Sequence, residues 1–183
     1  MDAAQEVFAR EGYAAASCEQ IAEHADFSKG AIYSNFKSKE ALFLELLARN
    51  MDREKRAMRE IATSSTSPRD VLDGLLQRFA LLDDKLDQCL LVTEFQMEAG
   101  RREEVAKPFA QLFRAQRREL GKLLVLLAAK ANQKLPEQPE VVAIFIMSLA
   151  GGLALQRAAD PKSVPRGLLT RSIRRYVESL LRN

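Results

Sequence analysis

Apolar residues recur at helical spacing along nearly the whole chain, and the runs are separated by serine, glycine or proline. Ala4, Val7 and Phe8 give a first helix its apolar side, with Asp2 as the expected N-cap, Gln5 three positions on, and Gly12 as the expected end. Ser17-Cys18-Glu19-Gln20 has the spacing of a capping box and opens a short second helix with Ile21, Ala22 and Ala25 inward. Ser28 opens a third, on which Ile32 and Phe36 are four apart and share one face. Ser38 opens a much longer fourth helix with Leu42, Phe43, Leu46, Leu47, Met51 and Met58 along one side.

TSSTSP (63–68) is a clear break, closed by a proline at an expected first helical position. Helical patterns then cover about 68–86, 88–100, 103–131, 139–158 and 165–181, and the proline-marked segments QKLPEQP and DPKSVP connect the last three. Few Gly and Pro and scarce β-branched runs leave no case for a sheet, so the fold class is all-α: four head helices followed by a five-helix body.

Two short helices joined by a tight turn have the geometry of a helix-turn-helix. Ala22 is small where the second helix crosses the third, Asp26 falls at the turn, where Asp tolerates an unusual backbone, and Ile32 pins the third helix to the core. With Ile32 and Phe36 inward, the side left for solvent holds Lys29, Gly30, Tyr33, Ser34 and Lys37. That side can enter a major groove: Gly30 permits close backbone approach, while Tyr33 and Ser34 reach bases or phosphates. The helix starts at Ser17, Ser28 and Ser38 can each receive a phosphate, and Lys39 adds charge beside the last.

Composition narrows the alternatives. A hydrophobic content of 47% and a charged content of 29% are those of an ordinary globular protein. The net charge of +3 is too slight to argue for nucleic acid, and the first fifty residues hold more acids than bases. Any basic footprint is therefore local to Lys29, Lys37 and Lys39. Cys18 and Cys89 are far apart and form no CxxC, and His24 is the one histidine, so no catalytic residues, metal ligands or cofactor are expected. The longest uncharged run, Val141–Gln156, is short for a membrane span, and MDAAQEVFAR carries no secretory leader, which together predict a cytoplasmic protein without membrane attachment.

The residues F8…G12Y13, S17…I21A22, S28K29G30, I32Y33, F36 and S38K39E40A41L42 resemble the DNA-binding head of the TetR family of bacterial transcriptional regulators. The resemblance implies a helix-turn-helix domain at 1–47 and a ligand-binding and dimerisation domain at 48–183. It also implies a homodimeric, ligand-responsive repressor that binds a palindromic double-stranded DNA operator. Ser17, Ser28, Lys29, Gly30, Tyr33, Ser34 and Lys39 match positions that commonly contact DNA in that family. Three departures stand out: Asp26 replaces the usual glycine, Ser34 and Asn35 replace a frequent histidine and aromatic, and the chain begins inside the first helix without a basic extension. Met1 is accordingly expected to be a trimmed or internal start.

In the body, the helix at about 139–158 is apolar nearly all round, and Ser148, Gly151 and Gly152 allow a second helix to come close. The last helix, at about 165–181, carries a stripe of Leu169, Ile173, Tyr176, Val177 and Leu180, with Arg171, Arg174, Arg175 and Arg182 mostly outside it. These two helices are expected to pair with their copies in the dimer. On a wheel of residues 90–101, Leu90, Leu91, Phe95 and Met97 mark an apolar arc with Glu94 and Glu98 inside it. Together with Gln116 these two carboxylates are the candidate contacts for a hydrophobic small-molecule effector, including a cationic one; the alternative is an internal salt bridge with Arg101 or Arg102. An effector-free architectural dimer, or a helical enzyme with an accessory head, are the other function classes in view. The fourth helix is the expected lever from body to head, along Leu46, Leu47 and Met51.

Overall fold

The computed structural model describes residues 1–181, apart from the side chain of Asp83, and within them the chain is helical with no strand. The helices are α1 (Asp2–Ala15), α2 (Cys18–His24), α3 (Lys29–Asn35), α4 (Lys39–Ser64), α5 (Pro68–Asp83), α6 (Leu86–Ala99), α7 (Glu103–Lys130), α8 (Pro139–Ala159) and α9 (Leu168–Leu180). They divide into two compact units: Met1–Asp52 with Leu90–Leu112, and Arg53–Cys89 with Phe113–Asn183.

Local chemistry explains most of the boundaries. Ser17 and Gln20 form the reciprocal capping box of α2, and Ser28 and Ser38 accept from the amides of Ala31 and Ala41. Pro68 opens α5 behind Ser67, whose side chain accepts from Asp70 N–H. Hydrogen bonds from Thr66 and Ser67 in turn hold the Asp70 carboxyl down at about 2. Two expectations are corrected at α1. The N-cap is Met1, without a side-chain cap, and Asp2 lies in the first turn. Gly12 does not end the helical stretch; it breaks it, with φ 77° and ψ 167°, before it resumes to Ala15. The last helix begins at Leu168 rather than about 165, because left-handed Gly167 occupies its N-cap. Arg182 lies outside the described residues.

In the first unit, Ile21, Ala22 and Ile32 bury the inner sides of α2 and α3, and Leu42, Phe43, Leu46, Leu47 and Met51 bury that of α4. Five aromatic rings fill the centre. Phe43 lies 5.2 Å from Phe8 and 5.2 Å from Tyr13, centroid to centroid. Phe95 of α6 lies 4.5 Å from Phe43 and 4.9 Å from Tyr13, and Phe109 of α7 follows at 5.6 Å from Phe95. The buried side of α6 is therefore Leu91, Phe95 and Ala99; Met97, expected on the same arc, is 57% exposed.

In the second unit, α5, α7, α8 and α9 share one core that includes Leu75, Phe79, Leu120, Leu124, Val142, Ile146, Ile173 and Val177. Gly74 lets Ile61 of α4 approach to 3.0 Å of where a Cβ would stand, and Gly121 does the same for Pro139 at 3.1 Å. α8 is long and apolar enough to cross a membrane by length and composition, but Val142, Ala143, Ile146 and Ala150 bury one side of it in this core.

Phe95→Ala removes the ring that joins Phe43 to Phe109 and should cost about 3–5 kcal/mol, read as a lowered urea midpoint; an unchanged midpoint would show that the cluster does not support the unit.

Candidate nucleic-acid interface

The short helices are aimed by their turn. α2 ends with two bonds, Asp26 N–H to Glu23 O at 3.2 Å and Phe27 N–H to Ala22 O at 2.9 Å. This is a Schellman arrangement with Asp26 in its left-handed position at φ 55°, where glycine is the usual occupant. The expected adaptation of Asp26 to the turn is what the backbone adopts.

α3 then presents one face. Ile32 is buried and Phe36 half-buried, whereas Lys29, Gly30, Tyr33, Ser34, Asn35 and Lys37 are exposed. Gly30 has no left-handed backbone, and a Cβ there would meet only Ser28 Oγ, at 3.7 Å. The fold itself does not require a glycine at this position. Ser34 Oγ and Asn35 Nδ2 both donate to Ala31 O at 2.9 Å, folding these side chains back along the helix. Tyr33 packs beside the buried Cys18 thiol, and that neighbour, with partial burial, pushes the phenol pKa up.

The three candidate lysines have three different fates. Lys29 Nζ forms an ion pair with Glu19 Oε1 and lies 5.8 Å from the centre of the Tyr33 ring. The hydrogen bond from Lys29 lowers the Glu19 pKa, and Glu19 in turn raises that of Lys29. Lys37 is exposed and has no ion-pair or hydrogen-bond partner among the described residues. Lys39 is committed inside the protein, donating to Tyr13 O at 2.8 Å, Ala14 O at 3.1 Å and Ala16 O at 2.9 Å. Its ammonium also lies 4.7 Å from the centre of the Tyr13 ring. An ammonium has three protons, so Lys39 has none left over for a phosphate.

Residues that the sequence presents as effector contacts serve this same unit. Glu94 Oε2 accepts from Tyr13 N–H at 2.7 Å, and its carboxylate lies 3.1 Å from where a Cβ on Gly12 would stand. The break at Gly12 thus exposes an amide to which α6 supplies the acceptor. Glu98 pairs with Arg102 at 3.3 Å, and Arg102 also bonds Glu40 at 2.7 Å and Glu104 at 3.0 Å. The alternative of an internal salt bridge holds for Glu98, with Arg102 as its partner. These carboxylates raise the Arg102 pKa. Burial pushes the Glu40 carboxyl up, but bonds from Ser38 and Arg102 outweigh it and leave the pKa lowered. Gln116 belongs to the second unit, where its Oε1 is buried with no hydrogen-bond partner among the described residues.

Glu19 was not legible as a partner of Lys29, because ten residues and a turn separate them and only the crossing of α2 and α3 brings them together. The Gly12–Glu94 contact spans more than eighty residues, and no local signal in the sequence marks it.

A helix-turn-helix with a glycine-marked polar face, set on a long fourth helix, defines a class of DNA-binding regulators. Residues 1–46 match the family model of bacterial regulatory proteins of the tetR family. Residues 68–182, more than half of the chain, match that of the BetI-type transcriptional repressor C-terminal domain. The chain belongs to the TetR family. Among curated relatives, it is 36% identical over 77 residues to the HTH-type transcriptional activator FasR of Mycolicibacterium smegmatis, a match to 42% of this chain and 35% of FasR. It is 39% identical over 69 residues to the regulator YuxN of Bacillus subtilis, across 38% of this chain and 24% of YuxN. The chain thus spans about a third or less of the length of these relatives. Two solved structures share the fold. FadR from Bacillus subtilis, in complex with stearoyl-CoA, has a TM-score of 0.74 at 22% identity, covering 99% of this chain and 95% of its own. A TetR transcription regulator from Haloarcula marismortui has a TM-score of 0.80 at 16% identity, covering 98% and 94%.

Gly12→Ala forces a Cβ toward the Glu94 carboxylate at a backbone angle that side chains rarely adopt, and should cost about 2 kcal/mol. Chemical denaturation checks this, and a loss well under that value would remove the kink from the features that hold the unit.

Proposed function

We propose that this protein is a cytoplasmic transcriptional repressor that binds a palindromic DNA operator as a homodimer and is released by a small-molecule effector with an apolar portion. The observation that carries the reading is the α3 face, with Ile32 turned in and Lys29, Gly30, Tyr33, Ser34 and Lys37 turned out. Gly30 supports it independently, since the fold leaves its Cβ direction open and a groove is what would fill that space. Ser17 and Ser28 cap helices whose remaining N-terminal amides suit phosphate oxygens. Lys39 acts indirectly in this reading, fixing the end of α1 against the start of α4. The BetI-type match over residues 68–182 supports repression, although the relative FasR is an activator.

Self-association is supported by α8. Val141, Ile144, Phe145 and Leu155 are exposed along one side of it, and a Cβ on Gly151 or Gly152 would meet nothing within 4 Å. Tyr176 of α9 extends the patch, its ring 4.3 Å from that of Phe145. A second copy of α8 and α9 fits this apolar, open surface and would complete a four-helix interface.

For the effector, Gln116 is the retained candidate, because its buried Oε1 lacks a donor. Glu94 and Glu98 are instead assigned to coupling: they tie α6 to the end of α1 and, through Arg102, to the start of α4. A long-chain acyl-CoA is the first probe, since the similarly folded Bacillus subtilis FadR was solved with stearoyl-CoA.

Selection from a random DNA pool should return a palindrome, and sedimentation should give a dimer; selected sites without symmetry would overturn the dimeric reading. On the selected site, Lys37→Ala should flatten the salt dependence by roughly 0.9 per head. Lys39→Ala should chiefly lower thermal stability, and an equal flattening by Lys39→Ala would return that residue to the interface. Acyl-CoA should release wild-type protein from the operator in anisotropy titrations, and Gln116→Leu should weaken that release by roughly tenfold, the cost of about one buried hydrogen bond; equal release by both proteins would remove Gln116 from the effector site.

A further inference from the structure

We propose that Glu19 is an internal competitor for DNA phosphate: its carboxylate holds Lys29 in the free protein and must release it when an operator binds. The inference rests on the DNA-binding reading above and concerns how strongly that face can bind. Glu19 stands in the first turn of α2, and Lys29 in the first turn of α3. They meet across the helix-turn-helix as an ion pair whose side chains are 48% and 61% exposed. The Glu19 carboxylate thus occupies the ammonium that an incoming DNA phosphate would otherwise meet.

Charge bookkeeping around the face makes the pair matter. Lys39 is spent on three carbonyls, Arg10 is paired with Glu11, and Arg49 with Glu45. Lys37 is the lysine of this face that has no partner among the described residues, so cancelling Lys29 halves the charge that an incoming phosphate meets. An exposed pair of this kind is weak and is opened readily by a competing phosphate. Glu19 therefore sets the level of affinity without blocking binding, and the exchange of one anion for another releases fewer counterions than a free lysine would.

The test is salt-dependent anisotropy on the selected operator with wild type, Glu19→Gln, Glu19→Ser, Lys29→Gln and the double variant Glu19→Gln/Lys29→Gln. Glu23→Gln, an exposed carboxylate on the same helix, controls for the loss of one negative charge. Melting curves matching wild type are expected, since the pair is exposed. Glu19→Gln and Glu19→Ser should bind more tightly than Glu23→Gln, with a salt slope steeper by roughly 0.9 per head. Their advantage should shrink by roughly threefold per head between about 50 and about 200 mM salt. In the Lys29→Gln background the gain should fall to that of Glu23→Gln. An undiminished gain in that background overturns the proposal, as does weaker binding by both Glu19 variants, which would make the pair a positioning device for Lys29. If wild type itself selects no DNA, the DNA-binding reading fails and this inference falls with it. Wild-type binding that is indifferent to Glu19 defeats this inference alone.

Discussion

Three short helices cannot bury enough apolar surface to hold a fixed geometry, and that constraint shapes the first unit. The supplement comes from far along the chain: Phe95 and Phe109 extend the cluster begun by Phe8, Tyr13 and Phe43. The aim of α3 depends on this cluster, because α2 packs on α1 and α3 packs on α2. A helix of seven residues such as α3 has little stability of its own, so tertiary packing must supply it.

Around the rings lies a layer of polar fastening. Glu94 takes the amide freed by the Gly12 break, Lys39 takes the carbonyls that follow it, and Arg102 binds Glu40 beside Lys39. Glu94 and Lys39 satisfy backbone atoms that the kink in α1 and its end would otherwise leave bare, and Arg102 balances the carboxylates of Glu40 and Glu98. Displacing Glu94 would uncover the amide of Tyr13. Burial and the nearby Glu40 and Glu98 carboxylates raise the Tyr13 pKa, so the phenol stays neutral at the centre of the arrangement.

Much of this was legible in the sequence. The capping box at Ser17, the caps at Ser28 and Ser38, the break before Pro68 and the apolar side of α4 all follow from spacings of three or four residues. Such signals are local, because a helix cap or a helix face is set within one or two turns. The exposed face of α3 was readable for the same reason: once Ile32 is inward, the opposite residues are determined. The wheel of α6 was read less well. A single helix with acids on its apolar side can be turned toward a ligand or toward protein, and Met97 shows that the arc itself was drawn too wide.

What the sequence determined by itself, then, is the order of the helices, their caps and which side of each is apolar, since periodicity and hydrogen-bond chemistry act over a few residues. Only the tertiary structure decided which charges are available. Lys29, Lys37 and Lys39 look equivalent in FSKGAIYSNFKSK, yet one faces Glu19, one has no partner among the described residues and one is half-buried and donates to three carbonyls. Electrostatic value depends on neighbours within a few ångströms, and those neighbours come from helix crossings that sequence spacing does not encode.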